Sequence, residues 1–123
     1  MADQRKPAIF VDRDGVLIEN RAEYIRRPCH IQVFPQALEA CRRIAEHGGF
    51  ELVVVSNQSV VGRGLLSRAR VDALGRRVRR IFERHGARIA GYYICPHAPS
   101  EACACRKPQP GMLLEAARRH ELD

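Results

Sequence analysis

The stretch Ala8-Ile9-Phe10-Val11-Asp12-Arg13-Asp14-Gly15-Val16 decides the fold: a short, continuous apolar run stops at two carboxylates. An apolar run without alternation reads as a strand buried on both faces, the habit of parallel sheets. The pattern recurs. Leu52-Val53-Val54-Val55 is a second buried strand ending at Ser56-Asn57, and Tyr92-Tyr93-Ile94 is a third leading into Cys95. The intervals are helical. Pro35 stands at the favoured first helical position, Leu38, Cys41, Ile44 and Ala45 line one face, and Gly48-Gly49 close the helix. Val71, Leu74, Val78, Ile81 and Phe82 mark a second helix, with Ser67 as N-cap and Gly86 past its end. A third starts at Pro110 and runs through Met112, Leu113, Ala116 and Ala117. Strand alternating with helix predicts an α/β fold with a parallel sheet, in a single domain spanning residues 1–123.

Open α/β sheets build their sites beyond the carboxyl ends of the strands. Asp12, Ser56 and Cys95 each follow such an end, so three segments deliver polar chemistry to one rim. The spacing Asp12-x-Asp14 lets one carboxylate attack an electrophile while the other handles protons. Gly15 lets the chain turn sharply and its backbone approach an anion. Alone, Asp-x-Asp-Gly also describes a loop with two solvated acids.

Three thiols and an imidazole fall within eleven residues, as Cys95-Pro96-His97 and Cys103-Ala104-Cys105. Thiolate and imidazole are the donors tetrahedral zinc prefers, and four protein ligands mark a structural site. Cys95, His97, Cys103 and Cys105 are therefore the expected zinc ligands, in a loop that fixes the adjoining Arg106 and Lys107. Cys29 and Cys41 stand apart and read as free thiols. No signal-peptide apolar region or bilayer-length apolar run occurs, and the expected compartment is the cytoplasm, where clustered cysteines bind metal more often than they pair.

The net charge of +7 is concentrated: seven arginines lie between Ser67 and His85 against Asp72 and Glu83. Since the same segment carries a helical apolar stripe and no nucleic-acid motif, these arginines read as a solvated face. Only Lys6 and Lys107 are lysines among 21 basic residues. Lys107 thus looks like a position that needs a compact ammonium rather than a planar fork.

Together, Asp12–Val16, Ser56-Asn57-Gln58 and Lys107 resemble the motifs of the haloacid dehalogenase (HAD) superfamily of phosphotransferases. Within it, the zinc loop running into Cys105-Arg106-Lys107-Pro108, with Asn57-Gln58-Ser59, Gly62-Arg63-Gly64 and Pro110-Gly111-Met112-Leu113, is most similar to the D-glycero-D-manno-heptose 1,7-bisphosphate phosphatases. The histidinol-phosphatase domain shares the zinc loop and is the alternative. The resemblance implies a HAD-like, Rossmannoid three-layer sandwich without a large cap domain. It implies that Asp12 attacks phosphorus to form a phosphoaspartate, and that Asp14 protonates the leaving oxygen and then activates water. Ser56 and Asn57 would hydrogen-bond the transferring phosphoryl, and Lys107 would neutralise it. Mg²⁺ would bind the Asp12 carboxylate and the Asp14 main-chain carbonyl. Arg13, Asn20, Gln58, Ser59 and Arg106 would hold the sugar and its second phosphate, with Tyr24 assisting, while Arg63 reads as a solvated loop arginine.

The chain departs from that pattern twice. Val60 stands where the heptose enzymes often carry glycine, and the acidic fourth motif that completes the Mg²⁺ site does not occur before Asp123. The C-terminal strands that pair beside the first would be missing with it, leaving Ala8–Val11 an apolar edge. The expectation is the N-terminal portion of a phosphatase, a monomer when complete, acting on a phosphorylated sugar and binding neither nucleic acid nor membrane. In a different class, the chain would be a zinc-stabilised binding module without catalysis.

Overall fold

In a computed structural model, which describes residues 5–122, backbone pairing joins β1 (Ala8–Val11), β2 (Glu51–Asn57) and β3 (Ile89–Cys95) into one parallel sheet of order β1-β2-β3. Val11 lies opposite Val54, and Asn57 opposite Cys95. This register brings Asp12, Ser56-Asn57 and Cys95 to the same edge of the sheet. The second strand gains Glu51, Ser56 and Asn57 over its apolar run, and the third gains Ile89-Ala90-Gly91 at its start and Cys95 at its end. Ladder hydrogen bonds use the backbone and ignore side-chain polarity, so Ser56 and Cys95 occupy the last rungs rather than the loops beyond them.

The period of two divides β2 between two cores. Leu52 and Val54 pack with Leu74, Val78 and Phe82 of α2 (Arg68–Arg84) and with Cys41 of α1 (Pro35–His47). Val53 and Val55 face the other way, onto Met112 and Ala116 of α3 (Gly111–Arg119). Helices on both faces of a parallel sheet make the expected three layers. Past α3 the chain comes alongside the first strand, where Leu122 pairs in parallel with Lys6. No described helix is long and apolar enough to cross a membrane.

Local signals account for the helix ends. Pro35 is the first residue of α1, and Gly48 ends it with φ +76°, a left-handed conformation that costs glycine nothing. Ser67 caps α2 by accepting from the Arg70 backbone N–H at 3.1 Å. On that helix Arg68 pairs with Asp72 and Arg79 with Glu83, while Arg70, Arg76, Arg77, Arg80 and Arg84 are exposed. The basic face is solvated, as its pattern implied. Val60 is fully buried, so the residue that departs from the glycine habit anchors the loop between β2 and α2.

Phe82 is also fully buried, between α2 and the sheet. Phe82→Ala is expected to lower the unfolding free energy by about 3–5 kcal/mol, measured by urea denaturation.

Candidate active site

Asp12 leaves β1 at the sheet edge and meets Lys107 from a loop 95 positions later in the chain, with Lys107 Nζ 2.8 Å from Asp12 Oδ2. The ammonium also donates to the Val55 carbonyl at 3.1 Å. Asn57 fastens the same loop, accepting from the Lys107 backbone N–H at 3.0 Å and donating to its carbonyl at 3.4 Å. An ammonium has three protons. Two are committed, and the third is available to an anion beside Asp12. The other Asp12 oxygen accepts from the Arg13 backbone N–H at 2.7 Å.

Asp14 is held from behind. Arg13 grips it with both arms of its fork, Nε to Oδ1 at 2.8 Å and Nη2 to Oδ2 at 3.1 Å. Gln58 Nε2 adds a donor to Oδ2 at 3.2 Å and reaches the Ser56 hydroxyl at 2.8 Å. Burial works against the Arg13 charge, but the neighbouring Tyr92 and Asp14 more than offset it and raise its pKa. Burial likewise pushes the Tyr92 hydroxyl up, and that buried oxygen has no hydrogen-bond partner. Arg13, expected to hold substrate, is placed against Asp14 instead of in the cavity lining. Its side chain is only 2% exposed, and its fork is occupied by Asp14. Gln58 and Ser56 are buried too, with the Ser56 hydroxyl retaining a proton to donate.

A cavity of about 270 Å³ opens beside Asp14, lined among others by Asn20, Arg21, Tyr24, Asn57, Gln58 and Ser59. Asn20, Gln58, Ser59 and Tyr24, the expected sugar-side groups, thus line it together with Asn57, expected at the phosphoryl. Arg21 carries no such expectation: it sits in a polar loop with no motif around it, and only the fold brings it to the cavity. Arg21 Nη1 donates to the Tyr24 carbonyl at 2.8 Å, supporting a turn in which Tyr24 has φ +70°. Arg106 and Lys107 lie outside this lining. Arg106 keeps one buried guanidinium nitrogen, Nη1, without a hydrogen-bond partner.

Cys95, His97, Cys103 and Cys105 bring their donor atoms within 4.8 Å of one another. Cys95 Sγ is 3.7 Å from Cys103 Sγ and 3.4 Å from His97 Nδ1, and His97 Nδ1 is 3.3 Å from Cys105 Sγ. Tetrahedral zinc at usual bond lengths separates two sulfurs by about 3.8 Å. The Cys95–Cys103 pair matches that spacing, whereas Cys105 Sγ lies 2.6 Å from Cys95 Sγ and would have to draw back to join the same ion. Burial and the neighbouring thiols push Cys105 up to about 12. Burial also opposes the Cys103 thiolate, but hydrogen bonds from the Arg106 backbone and the other thiols bring it down to about 7. The knuckle is wedged against backbone on two sides: a side chain at Gly62 would strike the Ala98 amide, and one at Gly111 the Ala104 carbonyl.

Asp12 and the Asp14 main chain offer oxygen donors of the kind Mg²⁺ takes, one or two carboxylates with water completing the shell. The arrangement is a carboxylate facing a cation, a second carboxylate beside a polar cavity, and a Cys/His cluster next to the cation's loop. It corresponds to known proteins along nearly its whole length. A crystal structure of D,D-heptose 1,7-bisphosphate phosphatase from Bordetella bronchiseptica, complexed with magnesium and phosphate, superposes with a TM-score of 0.86 at 33% identity, covering 95% of this chain and 65% of that one. A HAD-like phosphatase from Mesorhizobium loti gives 0.84 at 32% identity, covering 97% and 59%. By sequence, the chain is 37% identical over 115 residues to D-glycero-alpha-D-manno-heptose-1,7-bisphosphate 7-phosphatase of Mycobacterium bovis, covering 91% of this chain and 59% of the relative. The chain thus spans about three fifths to two thirds of the length of such proteins. A family described as polynucleotide kinase 3 phosphatase matches residues 7–123, and the chain belongs to it.

Proposed function

We propose that this chain carries the reaction centre of a Mg²⁺-dependent phosphomonoesterase acting through an aspartyl-phosphate, with D-glycero-D-manno-heptose 1,7-bisphosphate as substrate. The observation that carries the reading is the Asp12–Lys107 contact, a nucleophile and a charge-neutralising cation brought together across the chain. A carboxylate oxygen of Asp12 attacks phosphorus, and the P–O bond to the sugar breaks. Asp14 gives a proton to the departing oxygen, then takes one from the water that hydrolyses the phosphoaspartate. The free Lys107 proton, the Ser56 hydroxyl and the Asn57 amide supply hydrogen bonds to the equatorial oxygens as charge builds on them. Asp12, through its carboxylate, and Asp14, through its main-chain carbonyl, would hold magnesium, which would supply a Lewis acid for the transfer. Named relatives that act on heptose bisphosphates support the sugar substrate. Arg106 is assigned to the second phosphate because it adjoins Lys107 on the same loop and carries a permanent bidentate cation. Asn20, Ser59, Arg21 and Tyr24 line the cavity that would take the sugar.

Zinc is proposed for the Cys95, His97, Cys103 and Cys105 knuckle, as a structural ion. Elemental mass spectrometry of purified protein is expected to find about one zinc per chain, and less than about half would exclude it. Cys103→Ser should lower both zinc content and thermal stability.

Phosphate release is to be measured with heptose bisphosphate, histidinol phosphate and a 3′-phosphorylated oligonucleotide. The heptose ester is expected to have the highest kcat/KM, and preference for either other ester would displace the substrate assignment. Asp12→Asn should cut turnover by more than about a thousandfold, because an amide cannot form the phosphoaspartate. Undiminished turnover by that variant would remove Asp12 as nucleophile. Arg106→Ala should weaken kcat/KM for the bisphosphate by roughly ten- to hundredfold while affecting simple monophosphates less.

A further inference from the structure

We propose that Arg13 is a positioning residue: its planar fork sets the Asp14 carboxylate in place for proton transfer to the leaving oxygen. The inference rests on the phosphomonoesterase reading above and goes beyond it. Two neighbours in sequence form a bidentate pair, Nε–Oδ1 at 2.8 Å and Nη2–Oδ2 at 3.1 Å. The two sides of the pair differ in exposure: the Arg13 side chain is 2% exposed and that of Asp14 is 27% exposed. The fork is therefore part of the protein interior, while the carboxylate it holds meets the cavity. Two parallel hydrogen bonds define the plane of a carboxylate as well as its position, which a point charge does not.

Stability is a weak explanation for such a pair. Burying a guanidinium opposite a single carboxylate costs desolvation that the attraction roughly offsets, and apolar replacements of buried ion pairs are often neutral. The surroundings instead immobilise the fork. The Arg13 carbonyl accepts from the Leu17 and Ile18 amides at 2.9 and 3.2 Å, which pins its backbone into the turn after β1. Tyr92, packed against the α2 side of the sheet, lies next to the guanidinium. Gln58, the first residue after β2, supplies an independent third donor to Asp14 Oδ2, so the carboxylate is gripped from two segments of the chain. Proton transfer requires the donor at hydrogen-bonding distance from the leaving oxygen, and displacement by about 1 Å can cost roughly a hundredfold.

The test uses the dependence on leaving group. In the transfer step the Asp12 oxygen–phosphorus bond forms and the ester P–O bond breaks. An alkoxide leaving group needs the Asp14 proton at that moment, whereas 4-nitrophenolate leaves readily without it. Because kcat/KM reports this step and not the later hydrolysis of the phosphoaspartate, it is measured for an alkyl phosphate and for 4-nitrophenyl phosphate, in wild type and in Arg13→Met. The alkyl ester is expected to lose roughly a hundredfold and the nitrophenyl ester less than about a tenth of that loss. Arg13→Lys should restore the charge but leave the ratio depressed. Equal losses for both esters, or a wild-type ratio in Arg13→Lys, would overturn the role of the fork. If Arg13→Met does not fold, Gln58→Met, which removes the other grip on Asp14, is expected to depress the same ratio, and an unchanged ratio overturns the proposal. Should the wild type hydrolyse neither ester, the proposed function fails. The pairing is then read from melting temperatures of Arg13→Met, Asp14→Asn and the double variant. Non-additive shifts support a fork fastened to Asp14, and additive shifts overturn it.

Discussion

The contact between Lys107 and Asp12 organises the rest of the site, although it contributes little to holding the chain folded. Both side chains are about a third exposed, and an ion pair with that access to water is worth at most about 1 kcal/mol. What matters is what fixes the two partners. Asp12 hangs from the end of β1, and Lys107 is tied by its ammonium to the Val55 carbonyl and by its backbone to the Asn57 amide. Everything that aims the cation therefore comes from the last rungs of β2, the strand that pairs with β1 on one side and β3 on the other.

The Cys95, His97, Cys103 and Cys105 cluster adjoins that arrangement. Between Cys95 at the end of β3 and Lys107 the chain has no helix or strand of its own. Four donors drawn to a single point replace the missing ladder of hydrogen bonds. Close backbone approaches at Gly62 and Gly111 pass this constraint to the Ser59–Gly64 loop and to the start of α3. The cluster sits between the Ser59–Gly64 loop and the loop of Lys107, so ordering it orders both.

Arginine serves two separate purposes in the molecule. Along α2 it is a soluble coat, long side chains in water with only scattered partners. At position 13 the same side chain is interior and holds a single carboxylate. Nothing in residue type separates these roles. The separation comes from backbone direction: Arg13 lies in a tight turn whose side chain is folded under the sheet edge, whereas the α2 arginines sit opposite that helix's apolar stripe.

Local pattern in the sequence determined the elements. The runs at Ala8–Val11 and Leu52–Val55, the proline and glycine punctuation of α1, and the Ser67 cap are short-range effects, and short-range effects can be read one segment at a time. The donor set of the knuckle was equally legible, because zinc chemistry restricts both residue type and spacing. Asp12, Asp14, Ser56 and Lys107 were recognisable through resemblance. Only the tertiary structure decided where side chains point. It extended β2 through Glu51, Ser56 and Asn57, since backbone pairing does not depend on side-chain polarity, and it started β3 at Ile89. It turned Arg13 away from the cavity and brought Arg21 to it, because a charged residue in a loop carries no local mark of whether it will meet water or a carboxylate. That choice is made by long-range packing, here by Tyr92 and Gln58 closing over the turn after β1.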